Sequence, residues 1–122
     1  MTATPITIEL PYPPSVNGYW RTFQNRQIIS AKGRKYRLDA VAAVLSQGRG
    51  KTLAGRLQVV IELFVPDRRR RDISNVIKAT EDAITAAGVW KDDEQIDDLR
   101  IVRAGYEPPK GRVVLTITER AA

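Results

Sequence analysis

The chain has 122 residues, 43% of them hydrophobic, and a formal net charge of +6 without a single cysteine or histidine. It is long enough for one domain with one modest core, it has no apolar run of the ~18 residues a membrane helix needs, and its start, MTATPITIEL, lacks the marks of a signal peptide, so a soluble cytoplasmic protein is expected. The missing residue types exclude disulfides, zinc fingers, thiol nucleophiles, Ser-His-Asp triads and histidine general bases, and any metal would need oxygen ligands, which favours Mg²⁺, Mn²⁺ or Ca²⁺.

Taken in chain order, Ile6, Ile8 and Leu10 alternate with Thr7 and Glu9 and predict a strand, which Pro11, Pro13 and Pro14 stop. The segment SVNGYWRTFQNRQ reads as a polar, aromatic and basic loop with short extended pieces. Its Tyr19, Trp20 and Phe23, near Arg21 and Arg26, either stack on opened bases or fill an interface or the core, with the second role weighing more. A short strand is expected at Gln27 to Ser30, and Ser30 then caps a helix running to about Gln47. Within it, Leu38, Val41, Val44 and Leu45 recur at helical spacing.

A glycine-rich loop, GRGKTLAG, follows. Its Gly50-Lys51-Thr52 resembles the end of a phosphate-binding Walker loop, but position 45 is Leu rather than the required glycine, and the loop follows a helix rather than a strand. Nucleotide hydrolysis is rejected on both counts. Leu57, Val59, Ile61, Leu63 and Val65 alternate through a long strand ending at Pro66. The arginine run makes a turn, a second helix spans roughly Asp72 to Ala87, and Gly88 closes it. Leu99 to Tyr106 and Arg112 to Glu119 read as strands, with EPPKG between them predicting an antiparallel hairpin. The expected fold is a single α+β domain over residues 1–122, a mixed β-sheet packed with two main helices in the order β-α-β-α-β-β.

Charge is unevenly spread. Residues 1–61 carry nine basic and two acidic groups, residues 62–98 six and ten, and residues 99–122 five and two. An acidic middle flanked by basic segments suits a polyanion partner, most often nucleic acid.

A helical wheel with Asp72 at 0° and ~100° per residue places Ile73, Val76, Ile77, Thr80, Ala83, Ile84 and Ala87 in one stripe between ~20° and ~140°. Asn75, Lys78 and Asp82 fall beside Asp72 on the exposed face. Two readings stand side by side. Asp72 is either a helix cap or a metal ligand, and Lys78–Asp82 is either part of a site or an ordinary i, i+4 surface pair worth only ~0.3–0.5 kcal/mol. The second acidic cluster, Asp92, Asp93, Glu94, Asp97 and Asp98, shifts the balance. Trp90 gives it an apolar anchor, and folding back over the start of the second helix would bring Asp93 to Asp72. At least three of these five carboxylates are expected to be plain solvated loop. Converging carboxylates repel each other, and bound cations relieve this. Such a site can activate a water and polarise a phosphodiester. Lys78 then offsets developing charge, and Arg68, Arg69, Arg70 and Arg71 hold neighbouring phosphates.

The combination PDRRRRD, N-x-x-K-x-x-x-D-A and G-x-W-x-D-D-x-Q closely resembles the RusA family of Holliday-junction resolvases. LPYPPSVNGYWR resembles that family's opening motif and LTITE its final strand, so the resemblance covers essentially the whole chain. It implies a small homodimeric endonuclease that binds four-way DNA junctions and uses Mg²⁺, with Mn²⁺ as an alternative, to make paired symmetric nicks in recombination and repair. Many members occur in phages and prophages. By resemblance Asp72 and Asp93 take the places of essential carboxylates and Lys78 that of a functional lysine. Asn75, Asp82 and Asp92 also fall on motif positions, and Arg21 joins the arginine run as a DNA contact. One departure stands out: the usual D-x-D-N is here Asp72-Ile73-Ser74-Asn75. Ser74 is a weaker ligand or a helix cap, and Asp82 or Asn75 would have to compensate. The alternative expectation is a catalytically weakened or non-enzymatic junction-binding protein on the same fold.

Overall fold

The computed structural model describes residues 4–48 and 50–120. Four strands form the main sheet: β1 (Ile6–Pro11), β4 (Leu57–Val65), β5 (Ile96–Tyr106) and β6 (Arg112–Glu119), in the order β1-β6-β4-β5. β6 is antiparallel to both β1 and β4, whereas β5 runs parallel to β4. The sheet is therefore mixed, as expected. Two main helices, α2 (Ala31–Ser46) and α3 (Ile77–Ala86), join it in an α+β domain. A single helical turn, α1 (Val16–Tyr19), and a small hairpin of β2 (Trp20–Phe23) and β3 (Arg26–Ile29) complete the order. Gln24 and Asn25 both have positive φ, 49° and 60°, as a two-residue hairpin loop of the I′ kind requires.

The core follows the period-two pattern of the strands. Leu57, Val59, Ile61 and Leu63 of β4 and Val113, Leu115 and Ile117 of β6 are buried and pack with Ala79, Ala83 and Ile84 of α3. Each of the Leu, Val and Ile side chains among them contributes roughly 1.5–3 kcal/mol by leaving water.

Several expectations need correction. β5 and β6 are not a hairpin, because β4 lies between them. The α3 crossover returns the chain parallel to β4, so the 107–111 turn must bridge two strand spacings, about 10 Å. Glu107 N–H donates to Val65 O at 2.9 Å where the turn crosses the end of β4. β5 also begins at Ile96, which makes Asp97 and Asp98 strand residues rather than loop.

On α2, Ser30 caps as expected and accepts from Gly33 N at 2.9 Å. The buried face, however, is Gly33, Tyr36, Ala40 and Val44, while Leu38 and Leu45 are 71% and 61% exposed. Gly33 decides this: a Cβ there would sit 2.4 Å from Tyr19 O, so only glycine lets the first turn of α2 lie against α1.

The second helix is two segments, a 3₁₀ turn at Ile73–Val76 followed by α3. Three residues per turn in the first part put the Asp72 wheel out of phase with Lys78 and Asp82. The buried arc of α3 is also wider, ~200° on a wheel, because it takes in Ala79 on one side and Glu81 on the other.

Candidate metal and nucleic-acid site

The acidic turn after α3 is held by four devices. Gly88, at φ 78°, ends the helix with Gly88 N–H donating to Thr85 O at 3.0 Å and Val89 N–H to Ile84 O at 3.3 Å. Trp90 is buried, and its Nε1–H donates to Thr85 Oγ1 at 2.6 Å. Buried Gln95 accepts from the N–H groups of Lys91 and Asp92 at 2.9 and 3.0 Å and donates to Leu53 O and Gly55 O at 3.0 and 2.9 Å. Asp92 caps the 3₁₀ turn Asp93–Gln95, accepting from Glu94 N–H at 2.9 Å. The loop is thus fixed at both ends, and the turn packs against α3.

That packing puts Asp93 between two other carboxyls, in hydrogen-bond contact with Glu81 of α3 and with Asp92. Glu81 is only 8% exposed. Burial, and then the charge of Asp93, push its carboxyl up to about 7, against a smaller downward pull from Lys78. Asp92 moves the other way, held below the usual carboxylate range chiefly by the Glu94 N–H. Lys78 is exposed and, among the described residues, forms no ion pair.

Asp72 stands at the start of the 3₁₀ turn that leads into α3. It has the extended backbone of a cap residue, but its side chain makes no capping bond. It lines a groove of about 710 Å³ together with Asn75 and six cations, Lys32, Lys35, Arg69, Arg70, Arg71 and Lys110. Two other carboxylates line the groove. Asp39 pairs with Lys35 at 3.1 Å, and Asp67 pairs with Arg69 at 3.1 Å and Arg71 at 2.7 Å. Those arginines hold Asp67 down to about 2. Asp72 is left as the carboxylate of this groove without an ion pair among the described residues.

Asp82 does not join either group. It accepts from Arg37 Nε and Nη2 at 3.1 and 2.8 Å and from the Tyr19 hydroxyl, whose pKa is pushed up to about 12 by burial and then by this bond. It ties α1, α2 and α3 together and is withdrawn as a metal ligand. Ser74 is exposed in the 3₁₀ turn. Glu94 and Asp97 bind Arg56 at 3.1 and 2.6 Å, and Asp98 accepts from Gln58 at 3.0 Å, so Asp97 and Asp98 belong to the edge strand β5 and Glu94 ties the turn before it to the same arginine. The arginine run divides as well. Arg68 stacks over Tyr106 at 4.4 Å, in a second groove that does not include Asp72. Arg71 also donates to Asp67 O at 3.2 Å, shaping the turn itself. Arg21 lies over exposed Phe23 at 5.5 Å on the β2–β3 hairpin, while Tyr19 is buried and Trp20 half-buried, packed against the core.

Among the described residues no three acidic side chains converge tightly enough to enclose a cation. The donor set still fits Mg²⁺, which characteristically takes one or two carboxylates and completes its shell with waters and substrate phosphates. The Asp93 carboxyl cluster and the isolated Asp72 both supply such oxygens.

Two residues carry more of this site than their sequence positions suggest. Glu81 lies at ~180° on the Asp72 wheel, just outside the apolar stripe, and a carboxylate at that margin was the available signal. Gln95 is the last letter of G-x-W-x-D-D-x-Q, and its role as a clamp is visible only from its four bonds.

A family model described as Endodeoxyribonuclease RusA matches residues 11–118. The crossover junction endodeoxyribonuclease RusA of Escherichia coli (strain K12) is 45% identical over 114 residues, covering 93% of each chain. Those of Enterobacteria phage HK97 and Enterobacteria phage 82 are 43% and 44% identical over 110 and 112 residues, covering at least nine-tenths of each chain. With a family model matched over most of its length and relatives more than 40% identical over nine-tenths of it, the chain belongs to the RusA family of endodeoxyribonucleases.

Proposed function

We propose that this protein is a Mg²⁺-dependent endonuclease that resolves four-way DNA junctions by paired nicks, working as a homodimer in the cytoplasm in recombination and repair. The observation that carries this reading is the groove in which one unpaired carboxylate, Asp72, stands among six cations. Arg69 and Arg70 bind the phosphates on either side of the scissile bond, and Lys32 and Lys35 extend the track. Asp72, and from the acidic turn Asp93 and Asp92, are the carboxylates from which a metal would take its one or two protein ligands; when bound it would lower the pKa of a water and neutralise charge on the phosphodiester. Lys78 faces the developing negative charge from the exposed side of α3. Asn75 orients the phosphate or a water from the groove wall. A junction is nearly two-fold symmetric, so a C₂ dimer would present one such site to each of two opposed strands.

The test is a synthetic four-way junction incubated with the protein in Mg²⁺ and in EDTA. Symmetric nicks that require the ion are expected. Binding without nicking under any divalent ion would overturn the enzyme reading. It would favour the second one, a junction-binding protein weakened in catalysis, which rests on the neutral, exposed Ser74 and on the lack of a three-carboxylate cage among the described residues.

A further inference from the structure

We propose that Glu81 is itself a metal ligand, forming with Asp93 the carboxylate pair that grips the divalent ion. The inference deepens the reading given above and rests on it. A carboxylate on the core side of a helix is costly unless something compensates it. Its neighbours on the buried arc of α3 are Ala79, Thr80, Ala83 and Ile84. Glu81 is nine-tenths buried, and among the described residues it has no cation within ion-pair distance and no N–H donor bonded to it. Its polar contact is another carboxyl, that of Asp93. Lys78, three residues earlier, is near but does not close on it.

Two charged carboxyls in contact repel each other, and a cation between them removes that repulsion. A proton is the weak solution, and a divalent ion is the strong one. The surroundings favour the second. The Gln95 clamp, Trp90 and the Asp92 cap hold Asp93 rigidly against α3. A structure that needed only to avoid repulsion would let an exposed turn swing away. Ser74 contributes no charge to the site, and Glu81 does. Mg²⁺ needs few protein oxygens, and a fixed pair leaves positions open for water and phosphate.

The experiment is calorimetric titration of the DNA-free protein with Mn²⁺, comparing the parent with Glu81→Gln, Glu81→Asp and Asp93→Asn. Glu81→Gln is expected to weaken Mn²⁺ binding about tenfold or more, as is Asp93→Asn. Glu81→Asp keeps the charge but withdraws the oxygens by one methylene, and it should weaken binding as well. Unchanged Mn²⁺ affinity in a folded Glu81→Gln chain overturns the proposal. If Glu81→Gln does not fold, parental affinity in Glu81→Asp overturns it instead, because charge without reach would then suffice. The two readings separate cleanly. Glu81-dependent Mn²⁺ binding in a protein that never nicks a junction sinks the proposed function alone. Mg²⁺-dependent nicking with Mn²⁺ affinity indifferent to Glu81 sinks this inference alone.

Discussion

Glu81→Gln should make the metal-free protein more stable at neutral pH while leaving it almost unchanged in acid. Burial and the charge of Asp93 raise the Glu81 carboxyl from 4.5 to about 7 in the folded protein. Between those two values the native state holds a proton that the unfolded chain has already released. Native protein then binds more protons than unfolded, so stability falls as pH climbs through the window and levels off above it. At about 1.4 kcal/mol per pH unit the ceiling is about 3 kcal/mol. Water at the half-buried Asp93 screens the pair, so about half of that is the expected loss, or a drop of about 6 °C in melting temperature for a domain of this size. The assay is thermal unfolding in EDTA at about pH 4 and about pH 8, outside the two ends of the window. The parent should lose this stability between the two conditions, beyond what Glu81→Gln loses. Saturating Mg²⁺ at the higher pH should restore the parent by about 2.7 kcal/mol at a hundredfold excess over Kd and help the variant much less. Parallel pH profiles for the two proteins would refute the reasoning.

The other predictions follow from the same geometry. Asp93→Asn should abolish Mg²⁺-dependent nicking while junction binding in a gel-shift assay stays equal or tightens, since negative charge near DNA is removed; surviving cleavage would dismiss Asp93 as a ligand. Replacing Arg69 and Arg70 with Ala should flatten the salt dependence of binding by about 0.9 log unit for every phosphate no longer neutralised, and an unchanged slope would remove both from the interface. Gln95→Leu leaves four backbone groups without partners and should cost about 3 kcal/mol in chemical denaturation, a result of under 1 kcal/mol denying it the clamp role. Ser74→Asp should raise the nicking rate if the native site lacks a carboxylate there; an unchanged or lower rate would indicate that the site is already complete.

Much of the fold was legible because strands advertise themselves locally. The alternation at Ile6–Leu10, Leu57–Val65 and Arg112–Glu119 matches β1, β4 and β6 closely, and Ser30 caps the helix it was expected to cap. Pairing was less legible, because it depends on where the crossover helix returns the chain, and β4 separates the two strands that EPPKG joins. On α2 two apolar stripes were available, and a backbone contact at Gly33, not hydrophobicity, chose between them. The site shows the same division. Asp72, Lys78 and Asp93 stand as candidates on motif spacing, whereas the diversion of Asp82 to Arg37 depends on residue 37 of another helix.

By itself, then, the sequence determined the chemistry available to this protein: oxygen ligands only, a basic surface, an acidic turn and the spaced motifs of one family. The tertiary structure alone decided which carboxylates meet. Glu81 and Asp93 are joined by the path of the intervening loop, and that path is set by a buried indole and a four-bond glutamine. Periodicity reports which side of an element a residue occupies. It carries no information about what another element brings to that side, and a metal site is made of such meetings.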